Sequence, residues 1–123
     1  MSAQKDLVEA YFEGFRRTDR ALLLSCLTDD VKWDLPGYMH LSGKEAFNNE
    51  IVGEGFQGSP RLVIDRLIEE GDTVIAIGSG EGLREDGSPH RFVYSDVFTF
   101  TGDKISRVES YLVTLTDPVP ANP

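Results

Sequence analysis

The segment Phe92-Val93-Tyr94-Ser95-Asp96-Val97-Phe98-Thr99-Phe100 has the pattern of a β-strand, because aromatic residues recur at almost every second position. Successive side chains of a strand point to opposite faces, so Phe92, Tyr94, Asp96, Phe98 and Phe100 share one face. We expect a face with four aromatic rings to pack against helices. Asp96 would then be an inward-facing acid among apolar groups.

Further strands are predicted on both sides of this segment, because branched residues alternate there between turn sequences. The four predicted strands of the second half are Leu62 to Ile68, Thr73 to Leu83, Arg91 to Phe100 and Lys104 to Leu115. Glycines stand at alternate positions of the second of these strands, at Gly78, Gly80 and Gly82. Such glycines indicate a sharp bend or a close approach of another part of the chain.

The first half of the chain has helical spacing instead. The apolar residues Leu7, Val8, Tyr11, Phe12 and Phe15 form one stripe of a first helix. Ser2 is the predicted N-cap of this helix, and a second helix is predicted to begin after the cap Asp19, to run through Leu27 and to end at Thr28-Asp29-Asp30. A short strand, Val31 to Leu35, follows and is broken by Pro36-Gly37. The capping box Ser42-Gly43-Lys44-Glu45 predicts the start of a third helix, and a loop is predicted from Gly53 to Pro60.

Helices followed by antiparallel strands predict an α+β domain. The strands are long, so we expect a strongly curved, mostly antiparallel sheet wrapped around three N-terminal helices. With 123 residues, the chain has the size of one domain, which we place at residues 1–116. The last residues, 117–123, contain three prolines and are expected to form a loose tail.

Composition and charge exclude several classes of protein. The net charge is −9, which disfavours binding to nucleic acid or to anionic membranes. The apolar runs are too short for a transmembrane helix, and no signal peptide is recognisable. The single cysteine, Cys26, has no internal disulfide partner. We therefore expect a soluble, cytoplasmic protein, and neither a metal ion nor an organic cofactor is expected.

Two residues are candidates for chemistry inside the domain. Asp96 on the aromatic face is expected to be neutral, hydrogen-bonded or exposed to a cavity, because an unpaired buried charge is costly. Tyr11 lies in the middle of the apolar stripe, and a buried tyrosine usually needs a partner for its hydroxyl. The structural alternatives are an Asp96 that binds a backbone amide and a Tyr11 that is a plain core aromatic.

Two further candidates lie near the short strand. Asp34 follows Trp33, and strand alternation places it on the face opposite to Trp33, where it could simply be solvated. His40 lies in the segment after Pro36-Gly37, which we interpret as a loop and a possible pocket rim. The other histidine, His90, stands at the end of a hairpin and is expected to be exposed. These two histidines have no acidic ligand at metal-binding spacing.

Taken together, these features resemble the nuclear transport factor two-like superfamily, especially its SnoaL-like polyketide cyclase and ketosteroid-isomerase-like branches. The matching segments are the opening helix with Tyr11, Asp19 to Asp30, Val31 to Gly37, the helix start Ser42 to Ala46, and Ser95 to Phe100 continuing to Ile105. The resemblance covers nearly the whole chain. It implies a cone-shaped sheet around three helices, an apolar pocket at the open end, a short strand at the sheet edge, and a homodimer formed through the outer sheet face.

The resemblance also implies roles for individual residues. In ketosteroid isomerases a tyrosine and a protonated aspartic acid form an oxyanion hole, and these fall on Tyr11 and Asp96. The general base of that family falls on Leu35, one residue after Asp34. A local bulge that turns Asp34 inward, or substitution by His40, would restore a base. The expected pocket lining is Phe15, Trp33, Leu35, Phe47, Tyr94, Val108, Ser110 and Leu112.

Three functions remain open on this basis. The first is an isomerase or cyclase that removes a proton alpha to the carbonyl of a small apolar compound, with Tyr11 and Asp96 holding the enolate oxygen. The second is a small-molecule binder without catalysis, which the missing acid at Leu35 favours. The third is a protein-interaction domain that uses the outer face of the last strand, where Arg107, Glu109 and Tyr111 alternate. The fold alone does not choose between them.

Overall fold

The computed structural model describes residues 2–52 and 56–115. The elements are α1 (Ala3–Arg17), α2 (Arg20–Ser25), β1 (Leu27–Leu35), β2 (Met39–Ser42), α3 (Lys44–Asn49), β3 (Phe56–Glu70), β4 (Thr73–Arg84), β5 (Pro89–Thr101) and β6 (Lys104–Thr114). The expected loose tail and the expected end of the domain at residue 116 lie outside the described residues.

The six strands form one sheet in the order β2-β1-β6-β5-β4-β3. Neighbouring strands are antiparallel, except that β1 runs parallel to β6. The three helices pack on the inner face of this curved sheet, which confirms the expected α+β class. The inner face of β5 is also confirmed, because Tyr94, Asp96, Phe98 and Phe100 are all buried.

The second helix ends earlier than predicted. It stops at Ser25, and Leu27 begins β1 instead of closing the helix. The backbone amide of Ile105 donates to the carbonyl of Cys26 at 2.9 Å, and Leu27 pairs with Ile105 across the parallel ladder. The backbone of Cys26 and Leu27 therefore pairs with β6 instead of continuing the helix. The prediction that Thr28-Asp29-Asp30 ends the helix is wrong, since these residues lie within β1.

The segment after Pro36-Gly37 is a strand rather than a loop. The amide of Tyr38 donates to the carbonyl of Leu35 at 2.8 Å, which closes a hairpin turn. The second strand of this hairpin, β2, is the edge of the sheet, whereas β1 lies between β2 and β6. The expectation that the Trp33 strand is the edge strand is therefore wrong.

The predicted capping box is also wrong. Ser42 ends β2, and the N-cap of α3 is Gly43, whose φ of 92° is in the region that favours glycine. No side chain caps this helix. The amide of Gly43 instead donates to the carbonyl of Val31 at 2.7 Å, because the chain is still bonded to β1 at this point. Likewise, β3 begins at Phe56, within the segment predicted to be a loop up to Pro60.

The core is built around aromatic rings of α1. The Tyr11 ring packs edge-on against Phe98 of β5, with 5.0 Å between centroids, and against Phe47 of α3 at 6.1 Å. Trp33 of β1 stacks on Phe47 at 4.5 Å. Residues of β1, β5 and two helices thus meet at one cluster. Arg16 also donates from Nε to the carbonyl of Leu62 at 2.9 Å, which fastens α1 to β3.

The alternate glycines of β4 make room for rings of β5. Gly78 pairs with Tyr94 in register, and a Cβ built on Gly78 would lie 2.6 Å from the tyrosine oxygen and 1.9 Å from the carbonyl oxygen of Val63. Gly80 similarly pairs with Phe92, whose ring would be 2.4 Å from a Cβ there. The predicted close approach is therefore confirmed: aromatic rings cross the strand where its side chains are absent.

Candidate functional site

A partly open cavity of about 250 Å³ lies between the helices and the inner face of the sheet. Its wall is mostly apolar and aromatic. The lining residues come from α1, β1, the segment after α3 and all of β3 to β6: Tyr11, Phe15, Trp33, Leu35, Glu50, Ile51, Val52, Phe56, Gln57, Gly58, Pro60, Leu62, Gly82, Leu83, His90, Phe92, Tyr94, Asp96, Ser110 and Leu112. Such a cavity can hold a small apolar molecule.

Asp96 is a buried acid in the cavity wall, with a residue exposure of only 8%. We call the part of the cavity that Asp96 lines with Tyr11 the closed end, because both residues are buried, and the part lined by the half-buried His90 the open end. Loss of hydration raises the pKa of the Asp96 carboxyl to about 7, and the Ser110 hydroxyl opposes part of that rise by hydrogen bonding to the charged form. Ser110 lies opposite Asp96 in the β5–β6 ladder. A large share of Asp96 is therefore protonated near neutral pH and can donate a hydrogen bond.

Tyr11 is the second polar group at the closed end. It is 2% exposed and lines the cavity together with Asp96. Burial, followed by the nearby charge of Asp96, raises the pKa of its hydroxyl well above the usual value. Within the described part of the chain, no hydrogen-bond partner is found for this hydroxyl. Tyr11 thus presents an O–H donor in the wall of the same cavity as the carboxyl of Asp96.

Two neighbouring hydrogen bonds fix the walls around this pair. The indole Nε1 of Trp33 donates to the Ser110 hydroxyl oxygen at 3.2 Å, which leaves the Ser110 proton free to point at Asp96. The Tyr94 hydroxyl donates to the carbonyl of Val63 at 2.7 Å, and burial raises its pKa. Tyr94 and Trp33 are therefore occupied by protein partners, whereas Tyr11 faces the cavity.

The open end of the cavity holds a histidine that the sequence analysis placed on an exposed hairpin. The ring of His90 is half-buried and lies between Phe56 and Phe92, with centroid distances of 5.1 and 5.3 Å. Its Nε2 is 3.1 Å from the Thr114 hydroxyl oxygen. Loss of hydration, assisted by the charge of Arg84, lowers its pKa. The strand alternation that places Asp96 inward also predicts that His90 faces inward, because the two residues are an even number of positions apart on one strand.

Asp34 and His40, the expected candidate bases, are not brought to the cavity. Both lie on the outer face of the sheet, where His40 Nδ1 is 2.9 Å from Asp34 Oδ1. Arg107 donates to the other carboxylate oxygen of Asp34. The hydrogen bond with His40, followed by that with Arg107, lowers the pKa of Asp34. β1 contains no bulge that turns Asp34 inward, so Leu35 lines the cavity in its place.

Two expected lining residues belong to the core instead. Phe47 and Val108 have no exposed surface and do not border the cavity. Phe47 is covered by the stacked indole of Trp33. The remaining expected residues, Phe15, Trp33, Leu35, Tyr94, Ser110 and Leu112, do line it. Among residues 2–52 and 56–115, no cluster of three metal-binding side chains occurs. No helix in that same part of the chain is long and apolar enough to cross a membrane.

The sequence matches the model of the SnoaL-like domain over residues 8–108. That match covers most of the chain, so the protein belongs to the SnoaL-like family, within the nuclear transport factor two-like superfamily. The fold and the family together establish a ligand-binding or catalytic class of domain, without fixing the ligand. A comparison with curated protein sequences finds no match.

Solved structures show the same fold. TerC, crystallised with polyporic acid, has a TM-score of 0.82 and 25% identity, over 91% of this chain and 92% of that one. A nuclear transport factor two-like protein from Burkholderia pseudomallei has a TM-score of 0.83 and 22% identity, with 92% of each chain covered. A protein from Catenulispora acidiphila with a ketosteroid isomerase-like fold, in complex with trimethylamine, has a TM-score of 0.78 and 15% identity, over 86% and 84% of the chains.

Proposed function

We propose that this protein binds a small apolar carbonyl compound and polarises its carbonyl oxygen with two hydrogen bonds. The observation that carries the proposal is the pair at the closed end of the cavity. The Tyr11 hydroxyl has no hydrogen-bond partner among the described residues, and Asp96 is an acid whose pKa is about 7. A carbonyl oxygen accepts hydrogen bonds only, so it matches two donors in an apolar setting.

Removal of a proton alpha to that carbonyl needs a base in addition to the pair. The candidates Asp34 and His40 lie on the outer face, and Leu35 stands where the related isomerases have their acid. Glu50 and His90 also line the cavity, but neither stands at the position of that acid, so we propose binding and polarisation of the carbonyl as the function of this chain. TerC supports an organic ligand for this pocket, since it was crystallised with polyporic acid.

The proposal is tested with 2-tetralone, a flat apolar ketone, labelled with carbon-13 at its carbonyl. Two hydrogen bonds to the oxygen should shift the bound carbonyl resonance downfield relative to free ketone. Tyr11→Phe and Asp96→Ala should each weaken binding roughly threefold to tenfold and reduce that shift. The matched control is Tyr111→Phe, because Tyr111 is exposed on the outer face and its hydroxyl donates to Glu109.

The dependence on pH separates a donor from an acceptor at Asp96. An ionised carboxylate cannot donate, so the affinity for 2-tetralone should fall as pH rises through about 7. In Asp96→Ala that fall should be absent. Binding that is unaffected by both substitutions, or no binding by the wild-type protein, would contradict the proposal.

We further propose that the outer face of the sheet joins two copies of this chain. Apolar side chains are exposed there on β3, β5 and β6: Val63, Val93, Tyr111 and Val113. Val93 and Val113 are direct neighbours in the β5–β6 ladder. An exposed apolar group of this kind favours burial against a partner.

A further inference from the structure

The cavity has a second polar group at its open end, far from the first pair. Asp96 and His90 are six residues apart on β5 and both face inward. An extended strand separates such residues by about 20 Å between Cα atoms, and curvature of the sheet brings their side chains nearer. A ligand that meets only Tyr11 and Asp96 therefore leaves the His90 end of the cavity unused.

The His90 ring is held in a defined position. It lies between Phe56 and Phe92, and Nε2 is within hydrogen-bonding distance of the Thr114 hydroxyl. Within the described residues no partner is found for its other nitrogen, Nδ1. When Nε2 carries the proton and donates it to Thr114, Nδ1 is an acceptor. Because its pKa is lowered by loss of hydration, the ring is neutral near pH 7.

The glycine opposite His90 gives this end of the cavity its width. Gly82 pairs with His90 in register and lines the cavity. Unlike Gly78 and Gly80, it has no ring pressed against it, and the nearest atom to a Cβ built there is a Phe56 carbon at 3.8 Å. The space beside His90 is thus open, with aromatic surfaces on two sides that favour a flat ring.

We propose that the ligand is elongated, flat and polar at both ends, with a carbonyl at Tyr11 and Asp96 and a hydroxyl that donates to His90. This inference rests on the proposed function, because it takes the carbonyl end as given. The ligand class is then a molecule of two or more rings that carries a ketone at one end and a phenol or alcohol at the other. His90 is the residue that selects for the second group.

The test compares two ketones that differ only in the distal hydroxyl, 4-acetylbiphenyl and 4-acetyl-4′-hydroxybiphenyl. Calorimetry gives the ratio of their dissociation constants for each protein. One net hydrogen bond to His90 should make the hydroxylated ketone bind wild-type protein roughly threefold to tenfold more tightly. In His90→Phe, which keeps an aromatic ring and loses the acceptor, the ratio should fall to about one.

The control variant is His40→Phe, since His40 is the other histidine and lies exposed on the outer face. Its ratio should equal that of the wild-type protein. His90→Leu serves as a second variant if His90→Phe does not fold, and it should also lose the preference. Equal binding of the two ketones by wild-type protein would overturn the inference, as would a preference that survives both His90 substitutions or is lost in His40→Phe.

The outcome for 2-tetralone separates this inference from the proposed function. If 2-tetralone binds but neither biphenyl ketone does, the elongated ligand is wrong and the carbonyl site stands. If 2-tetralone itself does not bind, the proposed function fails and the inference fails with it.

Discussion

Arg107 forms an ion pair with Asp34, in which Nε donates a hydrogen bond to Oδ2 at 2.8 Å and Nη2 lies 2.6 Å from the same oxygen. His40 lies at 2.9 Å from the other oxygen. The carboxylate is therefore held on the outer face of the sheet, and the following residue, Leu35, faces the cavity. One step along a strand moves a side chain to the opposite face, so this acid has no access to a bound ketone.

Leu35→Asp should create a proton-abstracting activity. A carboxylate at this position would face the cavity that also contains Tyr11 and Asp96. A positioned general base contributes on the order of 10²-fold or more. We expect this variant to accelerate deuterium exchange at the alpha carbon of 2-tetralone by about that factor over the wild-type protein, as followed by proton NMR in heavy water.

Leu35→Asn is the matched control, because asparagine has nearly the shape of aspartate but is not basic. It should exchange no faster than the wild-type protein after the uncatalysed rate is subtracted. Rapid exchange by the wild-type protein itself would show that the cavity already contains a base, and the assignment of binding without proton abstraction would be wrong.

The contribution of Asp96 to the stability of the protein should fall as pH rises from about 4 to about 7. The folded state keeps the Asp96 proton in this range, whereas the unfolded chain releases it near the ordinary value of 3.8. The loss is complete above the folded pKa and amounts to about 4 kcal/mol. In Asp96→Asn this contribution is absent, so urea unfolding should show the variant gaining stability over wild-type protein with increasing pH.

Asp86→Asn provides the comparison for that experiment. Hydrogen bonds from the Ser88 hydroxyl and backbone amide lower the pKa of Asp86, so its contribution is present above the unfolded value and is lost only as pH falls through the folded one. Between pH 5 and pH 8 the difference in unfolding free energy between this variant and wild-type protein should stay constant. If the difference in unfolding free energy between Asp96→Asn and wild-type protein is also independent of pH, the folded pKa of Asp96 is not raised.

Gly78→Ala should destabilise the fold strongly, whereas Gly82→Ala should not. The new Cβ at position 78 would overlap the carbonyl oxygen of Val63 and the ring of Tyr94, neither of which can move freely. We expect a loss of about 3 kcal/mol or more. At position 82 the nearest atom is 3.8 Å away, so the change should stay within about 1 kcal/mol. Equal unfolding free energies for the two variants would contradict the close packing of rings over β4.

Val113→Glu should separate the proposed dimer. Val113 is 61% exposed on the outer face, beside Val93, and a buried charge in a contact between two copies would be costly. Light scattering coupled to gel filtration should give twice the chain mass for wild-type protein and the single mass for the variant. The control is Glu85→Gln in the β4–β5 hairpin, which should leave the dimer intact. A monomeric wild-type protein would contradict the proposal.

Strand alternation predicted the inner face of β5 correctly, and with it Asp96 at the closed end of the cavity, whereas Tyr11 followed from the helical spacing of α1. The period of two depends only on backbone geometry, so it holds wherever a strand is regular. The same rule placed Asp34 outward. Predictions from local sequence signals, such as helix ends and helix caps, were wrong where pairing with another strand determines the structure. Leu27 pairs with Ile105 of β6 and therefore belongs to β1 instead of α2. Ser42 belongs to β2, which pairs with β1, and does not cap α3.

The open end of the cavity was missed for a similar reason. His90 stands next to a hairpin turn, where exposure is the usual expectation. Its burial comes from Phe56, which is distant in sequence and lies in a segment predicted to be a loop. Phe47 and Val108 were expected to border the cavity, but both are fully buried, and the Trp33 ring stacks on Phe47. Which inward residues reach a cavity depends on the packing of other elements above them.

The central claim is that Asp96 is an acid whose proton is retained to near neutral pH at the closed end of an apolar cavity. Carbon-detected NMR titration of its side-chain carboxyl, assigned by comparison with Asp96→Asn, measures this directly. The account predicts a midpoint at about 7. A midpoint at or below the ordinary value of 3.8 would show a solvated or ion-paired carboxylate, and the carbonyl-binding role of Tyr11 and Asp96 would be contradicted.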